Sequence, residues 1–292
     1  MKSRTIIFRI LSYIGAAYVI FSCCALAAFI ISNGLPTLKS ELFFADTPPL
    51  DAIFGLRPVW DGIWPAMAGT LCLVVLTMLM ATVPAIGCGI YLARFAHGRI
   101  KSMLSLAIDM IAGVPSIVMG LFGFVLILLL RRTVAPDATT CIAVAALCLA
   151  ILVLPAITVT TRSSIESLPE VLELTGASLG FSENQILRHL LLPAAARGIF
   201  GGIILGAGRA AEDTAVIMLT GVVVNSGLPA GLAGKFEALP FLIYYTAAQY
   251  MDESELMRGF GASLVLLILS ALLAGAAGIC RKSMERRWKG LK

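Results

Sequence analysis

The hydrophobic positions of this chain fall into six long apolar runs, separated by segments that carry most of its charged residues. The runs cover residues 10–31, 66–92, 103–130, 141–161, 198–224 and 260–279. A helix needs about 20 apolar residues to cross the ~30 Å hydrocarbon core of a bilayer, and each run reaches that length. Pro84, Pro115 and Pro155 lie inside the runs, where membrane helices tolerate proline if neighbouring groups bond the freed carbonyls. The pattern predicts six membrane-spanning helices.

The composition of the chain supports lipid as its solvent. Its 292 residues are 59% hydrophobic and 13% charged, whereas about a quarter of the residues in a soluble protein are charged. In lipid every backbone polar group must be bonded within the chain, and helices achieve this segment by segment. The expected fold is therefore an all-α polytopic membrane protein, a single domain over residues 1–292 with its core in 60–280.

The distribution of lysine and arginine predicts the topology of these helices. Fifteen basic residues lie in segments 1–9, 94–102, 162–197 and 281–292, and six lie in the alternating segments 32–65, 131–140 and 225–259. Because basic loops stay in the cytoplasm, both termini of this multi-pass cell-membrane protein are predicted to be cytoplasmic, with 32–65 and 225–259 as external loops. A cleaved signal peptide is the alternative for the first run, although that run exceeds the ~7–15 apolar residues of such signals.

The longest predicted cytoplasmic connection, residues 164–193, carries its own helix signals. Pro169 suits the first turn of a helix, and Gly180 suits a helix end because glycine readily adopts the left-handed conformation found there. A capping box at 182–185 then starts a second helix, which we expect Pro193 to interrupt. The segment is therefore predicted to form a helix–glycine–helix elbow; the alternative is an ordered loop without a partner.

The second half of this elbow resembles the EAA loop of ABC-importer permeases. Gly180 is followed, after nine residues, by Leu190-x-Leu192-Pro193. This is similar to the glycine, nine residues and Ile-x-Leu-Pro of that motif. The similarity is therefore clear where the motif turns back towards the membrane.

Further segments extend the resemblance to one group of these permeases. The EAA positions hold Leu-Thr-Gly, ending at Gly176, and the acidic residue is Glu173, one position early. Segment 113–123 reads GVPSIVMGLFG and segment 205–215 reads LGAGRAAEDTA; they resemble the GVPSIVxGLFG and GRAxGET segments of PstA-type permeases of phosphate importers. The resemblance covers most of residues 60–280.

This resemblance implies the fold of a type I ABC importer permease, with the elbow as the coupling helix that docks on a cytoplasmic ATPase. It assigns coupling to Glu173, Gly176, Gly180, Leu190, Leu192 and Pro193. The implied partners are a second homologous permease, an ATPase dimer and an extracytoplasmic phosphate-binding protein. No cofactor and no enzymatic activity are expected in this chain, and ATP is bound by the partner ATPase. Segment 231–235 is not a Walker A loop, which would need glycine in place of Pro229 and serine or threonine in place of Phe236.

Three charged residues lie within the fifth apolar run. Arg209 is midway along it, and Glu212 and Asp213 follow at i+3 and i+4, on the same face of a continuous helix. An arginine at the bilayer centre costs at least ~2.5–3.5 kcal/mol on insertion scales, so it is a functional hypothesis by default. Guanidinium groups bind tetrahedral oxyanions in a bidentate manner, and a nearby carboxylate accepts a hydrogen bond from protonated phosphate but repels sulfate. The alternative is a self-neutralising triad that holds helices together.

The resemblance assigns the same residues to the substrate pathway. Arg209 matches the arginine of the GRA segment and Asp213 the glutamate of GET, while Glu212 stands where the family has glycine. Arg162 is a further candidate, since the family often carries an arginine three residues earlier, where this chain has Val159. No catalytic residue and no metal ligand is predicted.

Three glycines at intervals of four residues precede the charged cluster. Gly198, Gly202 and Gly206 share one helix face, and such ridges let membrane helices approach closely. We predict a packing surface, with a hinge as the alternative.

The function predicted from these features is that of a permease subunit of an ATP-driven phosphate importer, which forms the translocation path and couples to a separate ATPase. A permease for another oxyanion, such as a phosphonate, is the nearest rival. An ion-coupled secondary transporter and a membrane scaffold without transport activity are two more distant rivals.

Overall fold

The computed structural model describes residues 2–133, 136, 139–229 and 231–289. The remaining positions of the predicted domain 1–292 lie outside the described residues, as do the side chains of the terminal basic clusters in 1–8 and 276–292. The helices are α1 (Lys2–Gly34), α2 (Ser40–Phe44), α3 (Pro49–Ile53), α4 (Trp64–Arg94), α5 (Gly98–Ala112), α6 (Ser116–Thr133), α7 (Ile142–Glu166), α8 (Val171–Ser178), α9 (Glu183–Ile186), α10 (Leu192–Glu212), α11 (Thr214–Thr220), α12 (Leu239–Gln249) and α13 (Glu253–Lys289). A 3₁₀ turn at Leu35–Thr37 follows α1, and a π turn at Leu187–Leu191 joins α9 to α10.

Six helical stretches are long and apolar enough to cross a membrane. They are Arg9–Thr37, Trp64–Arg94, Ser116–Thr133, Ile142–Glu166, Glu183–Glu212 and Glu253–Gly275. Within the described residues no strand occurs, and one isolated bridge joins Val222 to Phe236. The prediction of an all-α polytopic membrane protein with six spans is confirmed.

The third span differs from its prediction. The apolar run 103–130 was expected to be one helix, but the chain breaks after Ala112 and resumes at Ser116, giving α5 and α6. Pro115 has no N–H to donate and disfavours the helical conformation of the residue before it. A proline in an apolar run therefore ends a helix here, whereas Pro84 and Pro155 remain inside α4 and α7 as predicted.

The centre of the bundle is the packing of α4, α7 and α10. Along α10 the three-glycine ridge lies against α7: a Cβ at Gly202 would stand 1.9 Å from the hydroxyl of Thr160, and one at Gly198 would stand 1.8 Å from that of Ser164. Gly206 faces Ile157 in the same way. The predicted packing role of this ridge is confirmed.

The bundle has two ends, which we name by the termini of α4. At the Arg94 end, α7 finishes and the chain forms α8 and α9. At the Trp64 end lie α2, α3, α12 and the irregular segment 221–238, of which residue 230 lies outside the described residues. The backbone N–H of Leu239 donates to the hydroxyl of Thr70 on α4, at 2.9 Å. This segment is thereby held against the first turns of α4.

Candidate functional site

The elbow at the Arg94 end forms as a helix–glycine–helix unit. Helix α8 ends before Gly180, whose φ of +76° lies in the left-handed region that favours glycine. Ser182 then caps α9: its hydroxyl accepts from the N–H of Gln185, and its own N–H donates to the Gln185 side chain at 2.8 Å. The predicted capping box and glycine turn are both confirmed as structure.

Close packing holds the two arms of the elbow together. A Cβ at Gly176 would stand 2.8 Å from side-chain carbons of both Ile186 and Leu190, so a larger residue would require these side chains to shift. Gly176 and Leu190, predicted to act in ATPase coupling, therefore make contacts within the elbow itself. Glu173 forms an ion pair with Arg94, at the last residue of α4.

The end of the elbow differs from its prediction. Pro193 was expected to interrupt the second helix, but helical structure is continuous from Glu183 to Glu212. Leu192 and Pro193 open α10, directly after the π turn. A π turn changes the hydrogen-bonding ring from i−4 to i−5, and proline is favoured in the first turn of a helix, where its missing N–H leaves no bond unmade. Pro193 therefore lies within continuous helical structure instead of interrupting it.

The elbow presents apolar side chains away from the bundle. Val171, Leu174 and Leu179 are 67%, 59% and 67% exposed, and Phe181 is also exposed. They belong to α8 and the turn after it, outside the six membrane spans. Exposed apolar patches mark surfaces for interaction with a protein or a membrane. We call these four residues the elbow patch.

The charged cluster of the fifth run is arranged differently from its prediction. Helix α10 ends at Glu212, and Asp213 has an extended backbone conformation (φ −72°, ψ 112°). Its carboxylate caps α11 by accepting from the N–H of Val216 at 2.9 Å. The expectation of Arg209, Glu212 and Asp213 on one face of a continuous helix is therefore wrong. Asp213 is a favoured capping residue, and it starts a new helix instead of extending the old one.

No ion pair within 4.0 Å joins Arg209 to Glu212 or Asp213 in the described part of the chain. The self-neutralising triad is therefore not formed here. Arg209 lies in the last turn of α10, instead of midway along a helix, and its side chain and that of Glu212 are exposed. They share an open face with Leu205 and Gly208, where a Cβ on the glycine would meet nothing within 4 Å.

The depth of Arg209 follows from the packing of α10 on α7. Gly206 faces Ile157, and Ala210 and Ala211 pack in one cluster with Ala150 and Val153. These partners lie around the middle of α7, which spans Ile142–Glu166. An exposed guanidinium at the middle of a membrane bundle must border water or another protein, because contact with lipid carries a high cost.

Arg162 is not brought to this open face. Its Nε lies 3.1 Å from Glu166, its Nη1 donates to Ser105 at 2.9 Å, and Glu166 also pairs with Lys101 at 2.8 Å. These bonds fasten α5 to the Arg94 end of α7. Since Gly198 lies opposite Ser164 near that end, Arg209 is about eleven residues, or roughly 16 Å, further along α10. The contacts of Arg162 favour a structural role.

A buried carboxyl group lies at the other end of the bundle. Glu237 is 5% exposed, and its carboxylate accepts the N–H of Gly227 at 2.7 Å. Burial raises the pKa of Glu237, and hydrogen bonds from the backbone of Gly227 and Ser226 lower it by less. The charged side chains of Asp61, Glu255 and Arg258 line the same cavity of about 190 Å³.

The chain is similar to a known family of membrane proteins. The model of the family "Binding-protein-dependent transport system inner membrane component" matches residues 85–290. The phosphate transport system permease protein PstA 1 of Mycobacterium tuberculosis is 30% identical over 228 residues, covering 77% of this chain and 72% of that protein. The chain belongs to this family of transport permeases. The prediction of a PstA-type permease is confirmed.

Other relatives of the permease agree in length and fold. The phosphate transport system permease protein PstA of Pasteurella multocida is 26% identical over 265 residues, which are 90% of the permease and 89% of that protein. Among solved structures, an inward-facing form of the MetNI methionine ABC transporter superposes with a TM-score of 0.60 at 17% identity, covering 82% of the permease and 99% of that chain. The similarity to MetNI shows that the permease has the fold of an ABC importer subunit.

Sequence reasoning missed two features of the permease, the exposed elbow patch and the buried Glu237, because both depend on how the elements pack. The elbow patch follows from the position of Gly176: the face of α8 that contains this glycine packs on α9, so the apolar residues on the other faces remain exposed. Glu237 gave no sequence signal, because its burial depends on the packing of segment 221–238 against α4.

The raised pKa of Glu237 predicts how pH acts on the permease. A carboxyl whose folded pKa is raised contributes stability that is complete below its unfolded pKa, ordinarily 4.5, and is lost as pH rises through the folded value. Glu237→Gln keeps the acceptor for Gly227 without titrating. We expect its melting temperature, relative to wild type, to increase as the pH is raised above about 4.5, measured on the purified chain in detergent.

The exposed Glu253 provides the control for this experiment, since Glu253→Gln removes a carboxylate outside the cavity. Its melting curve should follow that of wild type at each pH. Parallel pH curves for Glu237→Gln and wild type would contradict the burial argument.

Proposed function

We propose that this permease carries phosphate across the membrane as one of two transmembrane subunits of an ATP-driven importer. Its similarity to PstA proteins, which are named phosphate transport permeases, extends over 90% of its length. This similarity supports phosphate over other oxyanions. The Trp64 end is then external, and the Arg94 end and both termini are cytoplasmic, as the distribution of lysine and arginine indicates.

The observation that carries the transport mechanism is the open face of α10. Arg209 lies there at the middle of the bundle, exposed and without an ion pair within 4.0 Å in the described residues. A phosphate ion that reaches this depth exchanges its hydration for bidentate bonds from the guanidinium. Glu212, on the same face, accepts the hydroxyl hydrogen of the protonated ion, a bond that fully ionised sulfate is unable to form.

The same face supports a place for the second permease in this proposal. A charged face at mid-depth is stable in a bilayer only if protein and water cover it. A homologous subunit that places its own α10 opposite would enclose a polar path between the two chains. Asp213 lines this path beside the helix break, while its contact with Val216 limits its freedom to move.

The elbow patch is the proposed contact with the ATPase. ATP-driven closure of the ATPase dimer would move the elbow, and α9 continues through the π turn into α10. Displacement of the elbow is therefore transmitted along one helix towards Arg209. Such rigid-body motion is sufficient for alternating access if the two states bind phosphate with different affinities.

Purification and reconstitution test the proposal. We expect the permease to co-purify with an ATPase and a second permease, and the complex to import phosphate into proteoliposomes only with ATP and a phosphate-binding protein. Phosphate, sulfate and a phosphonate are compared as competitors. Uptake by the permease alone, driven by an ion gradient, would favour a secondary transporter. Stronger competition by the phosphonate than by phosphate would reassign the substrate.

A further inference from the structure

The ion pair between Arg94 and Glu173 connects two elements that are distant in the sequence. Arg94 is the last residue of α4, and Glu173 lies in the first turn of α8, 79 residues later. Both side chains are partly buried: that of Arg94 is 26% exposed and that of Glu173 is 36% exposed. Among the ion pairs within 4.0 Å in the described residues, this is the one that includes a residue of α8.

Helix α8 has few other attachments to the membrane bundle. Val171, Leu174 and Leu179 are exposed, and Gly176 packs on Ile186 and Leu190 within the elbow. The elbow is joined by the chain itself to α7 before it and to α10 after it. Its connection to α4 is not covalent and depends on side-chain contacts.

Helix α4 also contacts the opposite end of the bundle. A Cβ at Gly69 would stand 2.0 Å from the backbone oxygen of Glu237, and Thr70 accepts the N–H of Leu239. A displacement of α4 would therefore reach segment 221–238, which lies at the predicted external end. Helices α7 and α10 receive motion of the elbow through the backbone, whereas α4, which packs on both of them, has no direct backbone connection to the elbow.

We infer that Arg94 is a positioning residue that makes α4 move together with the elbow. This inference rests on the proposed importer function. The Arg94–Glu173 pair links the elbow to α4, while the backbone links it to α7 and α10. Beside the pair is an open cleft of about 340 Å³, lined by Arg94, Phe95, His97, Glu183 and Leu187. Substitution of Arg94 thus occurs next to open space, where a smaller side chain leaves no closed cavity.

The expected result is a loss of coupling without a loss of assembly. In the reconstituted complex, Arg94→Gln and Glu173→Gln should each lower phosphate imported per ATP hydrolysed by about fivefold or more, within the usual range of coupling between sites. The amount of assembled complex and its melting temperature should stay near wild type, because pairs of this exposure contribute little to stability. Arg94→Lys, which keeps the charge, should restore most of the coupling.

A double-mutant cycle tests whether the two residues act through each other. If they do, Arg94→Gln combined with Glu173→Gln loses no more coupling than either change alone. Arg99→Gln is the matched control, since Arg99 is exposed and has no ion pair within 4.0 Å in the described residues. Losses that multiply in the double variant, or unchanged import per ATP in Arg94→Gln, would overturn the inference.

Hydrogen exchange separates this inference from the proposed function. In the purified permease, without ATP or transport, the amides of α8 should exchange about two- to fivefold faster in Arg94→Gln than in wild type or Arg99→Gln, the range expected for a partly exposed ion pair. Equal α8 exchange in all three would reject the tether even if the complex imports phosphate. Faster exchange in Arg94→Gln, in a permease whose wild-type complex fails to import phosphate, would instead reject the importer function.

Discussion

Phosphate uptake by the complex should fall about 100-fold or more when Arg209 is replaced by alanine, while assembly is preserved. Charge-assisted bonds to an ionised group contribute about 1.5–3 kcal/mol each, so loss of a bidentate contact corresponds to at least two factors of ten. Arg209 has no ion pair within 4.0 Å in the described residues, and its side chain is exposed. Its removal therefore leaves no buried partner without a bond.

Two effects of Arg209→Ala have opposite signs, which makes the prediction specific. Removal of a charge at mid-depth should make membrane insertion of α10 easier by ~2.5–3.5 kcal/mol, so the amount of permease in the membrane should not fall. Uptake is measured in proteoliposomes and normalised to the assembled complex. Arg209→Lys keeps the charge without the bidentate geometry and should give intermediate uptake, and Arg99→Ala should behave as wild type. Near-normal uptake by assembled Arg209→Ala would remove Arg209 from the pathway.

The apolar pattern predicted the six spans because a bilayer imposes a minimum length on each helix. It predicted the breaks inside them poorly. Pro115 ends α5, yet Pro84 and Pro155 lie within continuous helices. The residue type is the same in all three places, so the neighbours decide the outcome.

Local chemistry was more informative than periodicity at the elbow and at the charged cluster. Ser182 and Gln185 form the capping box that their spacing predicts. Asp213 carried a comparable signal, since aspartate is among the preferred N-cap residues, but its position within a long apolar run favoured a continuous helix. The break at Asp213 changes the candidate site: it leaves Arg209 and Glu212 on the open face and directs Asp213 into capping α11.

Burial of polar groups required the folded structure. Nothing in the sequence around Glu237 distinguishes it from an exposed loop residue, and its 5% exposure results from segment 221–238 packing on α4. Likewise, the pairing of Arg94 with Glu173 joins residues 79 positions apart. Contacts of this range depend on which helices are neighbours, and hydrophobic patterns determine the helices but not their arrangement.

The contact between α4 and segment 221–238 leads to the second large expected effect, in which Gly69→Ala destabilises the permease. A Cβ at position 69 would stand 2.0 Å from the backbone oxygen of Glu237. A backbone carbonyl has no rotamer by which to move away, so the segment must shift and the bond from Leu239 to Thr70 is weakened. Overpacking of this kind costs about 1–3 kcal/mol, and we expect a clear decrease in melting temperature in detergent.

Helix α4 supplies its own matched control for this substitution. Gly87 is exposed on the same helix, and a Cβ there would meet nothing within 4 Å. Gly87→Ala should therefore be neutral or stabilising by up to about 1 kcal/mol, because alanine favours helix more than glycine does. The two variants differ only in what the added methyl group meets, so opposite shifts in melting temperature isolate the contact with Glu237. Equal shifts would show that segment 221–238 does not rest on α4 in the folded permease.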